Sequence, residues 1–120
     1  MSDIYDEIIA ERLRQIEKWG EQNHPDVDQV LMNRRGGCTP QRMAEEYAIP
    51  TASRAQFSCN NAARRGQLTF AHILVEEVAE AIDGATMGVA AAAGELRTEL
   101  IQVAAVAVAW VEKLDREARP

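Results

Sequence analysis

Cysteine, aromatic residues and long apolar runs are all scarce in this chain of 120 residues. Its two cysteines, Cys38 and Cys59, stand in neither a CxxC nor a CxH pattern. That disfavours a disulfide framework and a zinc site, and makes reduced thiols in a cytoplasmic protein the expectation. Two tryptophans, two tyrosines and two phenylalanines, set against many alanines, favour closely packed helices over a β-sandwich. The most apolar stretch, Ile101 to Val111, falls well short of the roughly 20 residues of a membrane-spanning helix. Met1 to Glu7 is acidic, where a signal peptide would be basic. Solubility and no membrane partner are therefore expected.

Basic charge is scarce as well. The net charge of −6 disfavours nucleic acid as a general partner. The charges are unevenly spread: residues 1–30 carry 8 acids and 3 bases, residues 31–66 carry 2 and 6, and residues 67–120 carry 9 and 4. A basic middle between acidic ends could surround a phosphate while the ends hold a metal. It could equally be a solvated, arginine-rich insertion. The length sets one domain.

Helical signals recur along the chain. Ser2 can cap a first helix in which Tyr5, Ile9, Leu13 and Ile16 share a face, ending at Trp19 before Gly20. Trp19 is either a stacking face on a binding rim, with Lys18 beside it, or a plug at the end of the core. Asn33 to Cys38 reads as a loop. Thr39 and Pro40 open a short helix expected to end near Pro50, and Thr51 or Ser53 opens another running to about Arg65. This second piece has few large apolar residues and reads as a surface element. Its Arg54, Asn60, Asn61, Arg64 and Arg65 can donate to phosphate oxygens or be ordinary surface groups. Thr69 can cap a helix that Gly84 or Gly88 ends, and the last helix runs from about Ala90 or Glu95 to Arg116. That last helix is apolar on opposite faces, which predicts burial all round and hence a second subunit.

The chemistry concentrates in two acidic rows. Leu74-Val75-Glu76-Glu77-Val78-Ala79-Glu80 puts three acids among aliphatics, with Glu77 and Glu80 on one face and Glu76 a turn from Glu80. Glu95, Glu99 and Gln102 form the second row. If the two helices pack antiparallel, the rows face each other, and like charges raise each other's pKa. A hard cation removes that repulsion, and an all-oxygen ligand set selects Mg²⁺ or Mn²⁺ over zinc. The competing reading is two solvent-exposed acidic edges. His24 and His72 are not expected to be ligands.

These residues resemble the MazG-like, all-α nucleoside triphosphate pyrophosphohydrolases, whose hallmark is EExxE followed on the next helix by ExxD. Glu76-Glu77-Val78-Ala79-Glu80 matches the first half, and Glu99-Leu100-Ile101-Gln102 matches the second in part. The run Leu100–Trp110 and Glu17-Lys18-Trp19-Gly20-Glu21-Gln22-Asn23-His24-Pro25 extend the likeness toward a subgroup from actinobacteria and their phages. The likeness covers about 4–25 and 55–116, within one 1–120 domain whose insert at about 30–52 it does not reach.

The resemblance implies a MazG-like helical bundle completed by oligomerisation, as a homodimer or homotetramer. It also implies Mg²⁺- or Mn²⁺-dependent hydrolysis of a (deoxy)nucleoside triphosphate to the monophosphate and pyrophosphate, with purine and especially (d)GTP as first guess, in a bacterial or phage-infected cytoplasm. Residue by residue, Glu77, Glu80 and Glu99 would ligate metal, and Glu76 would ligate or orient the attacking water. Gln102 stands where an Asp is expected and offers a carbonyl oxygen without charge. Glu76 and Glu77 are the catalytic candidates. Lys18, Trp19, Asn23, Arg54, Asn60, Asn61 and Arg64 are the candidate nucleotide contacts. The alternative is a catalytically inactive oligomerisation or regulatory module descended from such an enzyme, with Gln102 as its mark.

Overall fold

A computed structural model describes residues 3–33, 37–87 and 90–119, with 87 and 90–94 described by backbone alone. Ser2, Arg34, Arg35, Gly36 and Gly88 lie outside the described residues. Six helices and no strand occur among the described residues: α1 Ile4–Trp19, α2 Gln29–Met32, α3 Pro40–Glu46, α4 Ala52–Arg64, α5 Phe70–Met87 and α6 Ala90–Ala118. The all-α expectation holds at this level.

The helix starts follow local capping chemistry. The carboxylate of Asp3, not the expected Ser2, caps α1 by accepting from the Asp6 N–H at 2.8 Å. Gly20 closes α1 at φ +70°, a left-handed conformation glycine adopts without steric cost. Asp28 caps α2, Thr39 caps α3 with Pro40 just inside, and Thr51 caps α4. The α3 helix ends at Glu46, short of the expected Pro50, where Tyr47 and then Ala48 at φ +56° break it. The α5 helix runs through Gly84 to Met87, so Gly84 does not end it.

The core has two parts. Val27, Leu31 and Met43 form a cluster against which Ile82 and Ala85 of α5 pack. The insert expected at about 30–52 therefore supplies the bulky half of the core and is not a mere solvated loop. Tyr47 ties it together, its hydroxyl accepting from the Asp28 N–H at 2.9 Å. The second part is the α4–α5 contact, where Ala55, Cys59 and Ala62 of α4 are buried; Ala79 and Ala81 of α5 are buried too. The surface-element expectation for α4 fails here: small residues at i, i+4 and i+7 let two helices approach closely without bulk.

Elsewhere the apolar faces are open. No residue of α1 is buried, and Tyr5, Ile9, Leu13 and Trp19 are each more than half exposed. On α6, Leu100, Ile101 and Leu114 are equally bare, so the expected burial all round is not met within one chain. The accessible surface is 9027 Å², about 2,600 Å² more than a compact chain of this mass presents. The radius of gyration is 16.9 Å, against about 14 Å for a compact domain of this length.

Candidate metal centre

The α5 and α6 helices are joined through residues 88 and 89 and pack along one another. At the far end of the pair Phe70 stacks on Trp110, ring centroids 5.7 Å apart and planes within 11°. That aromatic pair is one contact of the extensive α5–α6 packing. The packing sets Glu77 and Glu80 of α5 against Glu99 of α6, with one carboxylate oxygen from each lying within 4.8 Å of the others.

Three carboxylates so close perturb one another. Glu80 is raised from 4.5 to about 7, first by burial and then by the charges of Glu77 and Glu99. Glu77 is also raised, by burial first and then by the charges of Glu99 and Glu76, partly offset by a hydrogen bond with Glu80. With its amide nitrogen turned inward, Gln102 donates to Glu99 Oε2 at 2.9 Å and to Glu77 Oε2 at 3.1 Å. In that orientation a neutral amide would tie two carboxylates together where a fourth acid would have added repulsion. The donor set is all oxygen and half-buried, which fits a hard divalent cation such as Mg²⁺ or Mn²⁺.

Glu76 is placed differently. It sits beside Cys59 of α4, and its hydrogen bond and charge, after burial, push that thiol up to about 11. Such a thiol is protonated and unreactive near neutrality. Glu95 is exposed and stands outside the cluster.

The candidate nucleotide contacts fall in three places. Lys18 lies over the Trp19 ring, 4.8 Å from its centroid, and Trp19, Asn23 and His24 line a shallow hollow at the end of α1. Trp19 is 63% exposed, so it does not plug the core. Arg54 and Asn61 line a cleft between α4 and α5 together with Phe57, Ser58 and His72. Asn60 and Arg64 are exposed and line no described cleft. Glu77 and Glu80 do not border the α4/α5 cleft. At 100° per residue they lie about 200° and 140° around α5 from Val75, which does.

Phe57 and Ser58 line the cleft although their sequence context marks them only as surface residues, and His72 does more than border the helix. Thr69-Phe70-Ala71-His72 is a capping box with histidine in the usual acid's place: Thr69 Oγ1 accepts from the His72 N–H at 3.1 Å, and His72 Nδ1 accepts from the Thr69 N–H at 3.1 Å. The Thr-x-x-polar spacing was the available signal. No family model, curated protein or solved structure matches the chain.

Proposed function

We propose that this protein is a metal-dependent nucleoside triphosphate pyrophosphohydrolase, with (d)GTP as the first substrate to try. One observation carries the reading: Glu77, Glu80 and Glu99 bring carboxylate oxygens within 4.8 Å of one another, with Glu80 raised to about 7. Half-buried like charges oppose each other, and a divalent cation turns that repulsion into attraction. The resemblance of Glu76–Glu80 and Glu99–Gln102 to the MazG-like motif supports the same assignment.

Glu77, Glu80 and Glu99 would hold Mg²⁺ or Mn²⁺, which when bound polarises phosphoryl oxygens and acidifies a coordinated water. With its amide nitrogen inward, Gln102 would keep Glu77 and Glu99 side by side. Having one charge fewer than a four-acid set, the cluster favours a low metal count. Glu76, one turn from Glu80 and outside the three, is the carboxylate available to accept a proton from the attacking water. Lys18 and Trp19, with their exposed cation and indole face, are suited to a phosphate and a base.

A homo-oligomer belongs to the same proposal. The open faces of α1 and α6 and the surface excess match what an obligate homodimer buries, about 2,000 Å² or more. The second reading, an inactive oligomerisation module, is favoured by the Gln102 bridge, which in that orientation would steady two of the carboxylates without any ion.

Pyrophosphate release from the common ribo- and deoxyribonucleoside triphosphates, with Mg²⁺ or Mn²⁺, tests the reading. Release from at least one of them is expected. No release from any, with folded protein, favours the inactive module. Glu77→Ala should cut turnover about a hundredfold or more while circular dichroism stays unchanged; retained turnover would put the chemistry elsewhere.

A further inference from the structure

We propose that the cleft between α4 and α5 is a second ligand site, separate from the carboxylate centre, that takes a nucleoside monophosphate. The cleft encloses about 550 Å³, within the size range of small-molecule sites. It has a chemical order along its length. Along α4 its lining runs from Arg54, near Pro50, through Phe57 and Ser58 to Asn61, and α5 supplies His72 and Val75. No carboxylate is among the described residues that line it, in a chain with net charge −6. An acidic protein with a cleft of donors and one guanidinium is built there for an anion.

Each group then has a partner on such a ligand. The Phe57 ring is 66% exposed and faces no described aromatic partner, so a base can stack on it. Asn61 offers both a donor and an acceptor to a base edge. Arg54 makes no side-chain ion pair among the described residues, and its fork matches a phosphate. The His72 Nδ1 accepts from the Thr69 N–H, a backbone group that can only donate. The ring proton is therefore on Nε2, a further donor.

The cleft is cut off from the carboxylates by the α4–α5 contact itself. Ala55, Cys59 and Ala62 close that contact, and the Cys59 thiol donates to the His72 carbonyl at 3.1 Å. Glu77 and Glu80 lie beyond it, toward α6. A ligand in the cleft would bear on the centre through α5, which carries His72 and Val75 on one side and both glutamates on another. The donor set calls for a planar aromatic anion. The choice of a nucleoside monophosphate, the product of the proposed reaction, rests on the hydrolase reading.

The test is calorimetric titration of the full chain with GMP, dGMP, AMP and CMP in EDTA, which keeps divalent ions from the carboxylates. Saturable binding, one per chain, is expected for at least one nucleotide. Arg54→Gln should weaken the nucleotide by roughly tenfold or more and leave binding of the matching nucleoside unchanged. Phe57→Ala should weaken both, and Glu77→Ala neither. Absence of binding at millimolar nucleotide overturns the proposal, as does binding that responds to Glu77→Ala but not to Arg54→Gln. Circular dichroism of Arg54→Gln and Phe57→Ala checks their fold, and both positions are exposed. Because binding in EDTA needs no turnover, its loss leaves pyrophosphate release standing, and failure of pyrophosphate release leaves the binding result standing.

Discussion

Two helices of this chain use their apolar residues in opposite ways. The α1 helix carries Tyr5, Ile8, Ile9, Leu13, Ile16 and Trp19, and buries none of them. The α4 helix carries one large apolar residue, Phe57, leaves it in solvent, and still buries Ala55, Cys59 and Ala62. Burial here tracks how closely backbones approach, not how hydrophobic the side chains are. Small residues bring α4 onto α5 with little area per residue but dense contact. Bulky residues on α1 hold about 25 cal/mol of unrealised stabilisation for each Å² of apolar area still open. The α4 helix is spent on the fold, whereas the apolar face of α1 is left open.

The strongest way to break this contrast is a charge on the open face. Leu13→Asp should weaken self-association about a hundredfold or more and leave helix content intact. Sedimentation velocity across a concentration series reads it. An unchanged oligomer would mean that α1 is not the interface.

Overpacking the closed face comes next. Ala62 is 0% exposed, so Ala62→Leu should cost about 1–3 kcal/mol in urea unfolding at fixed protein concentration, with self-association unaffected at low denaturant. A neutral result would mean that the α4–α5 contact has slack. Removing the cap at the head of α5 is milder: Thr69→Ala loses the bond from the His72 N–H and should cost about 1 kcal/mol.

The smallest expected effect is a slope with pH on the acidic side of α5. Unfolded, Glu80 releases its proton near 4.5; folded, it holds it to about 7. Between these values the folded chain binds more protons than the unfolded one, so stability falls as pH rises through that interval. Thermal scans in EDTA should show Tm declining from about pH 4.5 to 7. Glu80→Gln should flatten that decline, and millimolar Mn²⁺ should reverse it. A flat wild-type profile would mean that the carboxylates stand too far apart in solution to interact.

Much of the architecture was legible in residue order. Thr39, Thr51 and Thr69 cap the helices they precede, and Gly20 stops the first helix, because capping is a contact within four residues. The pairing of Glu77 with Glu80 and the row Glu99–Gln102 were legible for the same reason. The buried role of α4 was harder to read, since hydrophobicity signals bulk and the Ala55-Cys59-Ala62 stripe has little. The insert's share of the core, Leu31 and Met43, is not legible in the sequence because those residues belong to segments too short to show a period.

Sequence alone marked the helices α1, α3, α4, α5 and α6 and the two acidic rows, because each is a matter of local spacing. Tertiary structure decided which faces meet. It set Glu99 beside Glu77 and Glu80, turned Glu76 toward Cys59, aimed the Gln102 amide at two carboxylates and opened a cleft at Arg54 and Asn61. Those outcomes depend on the register of α4, α5 and α6. Register is set by close contacts such as Phe70 with Trp110, between residues far apart in the chain, and no local pattern encodes it.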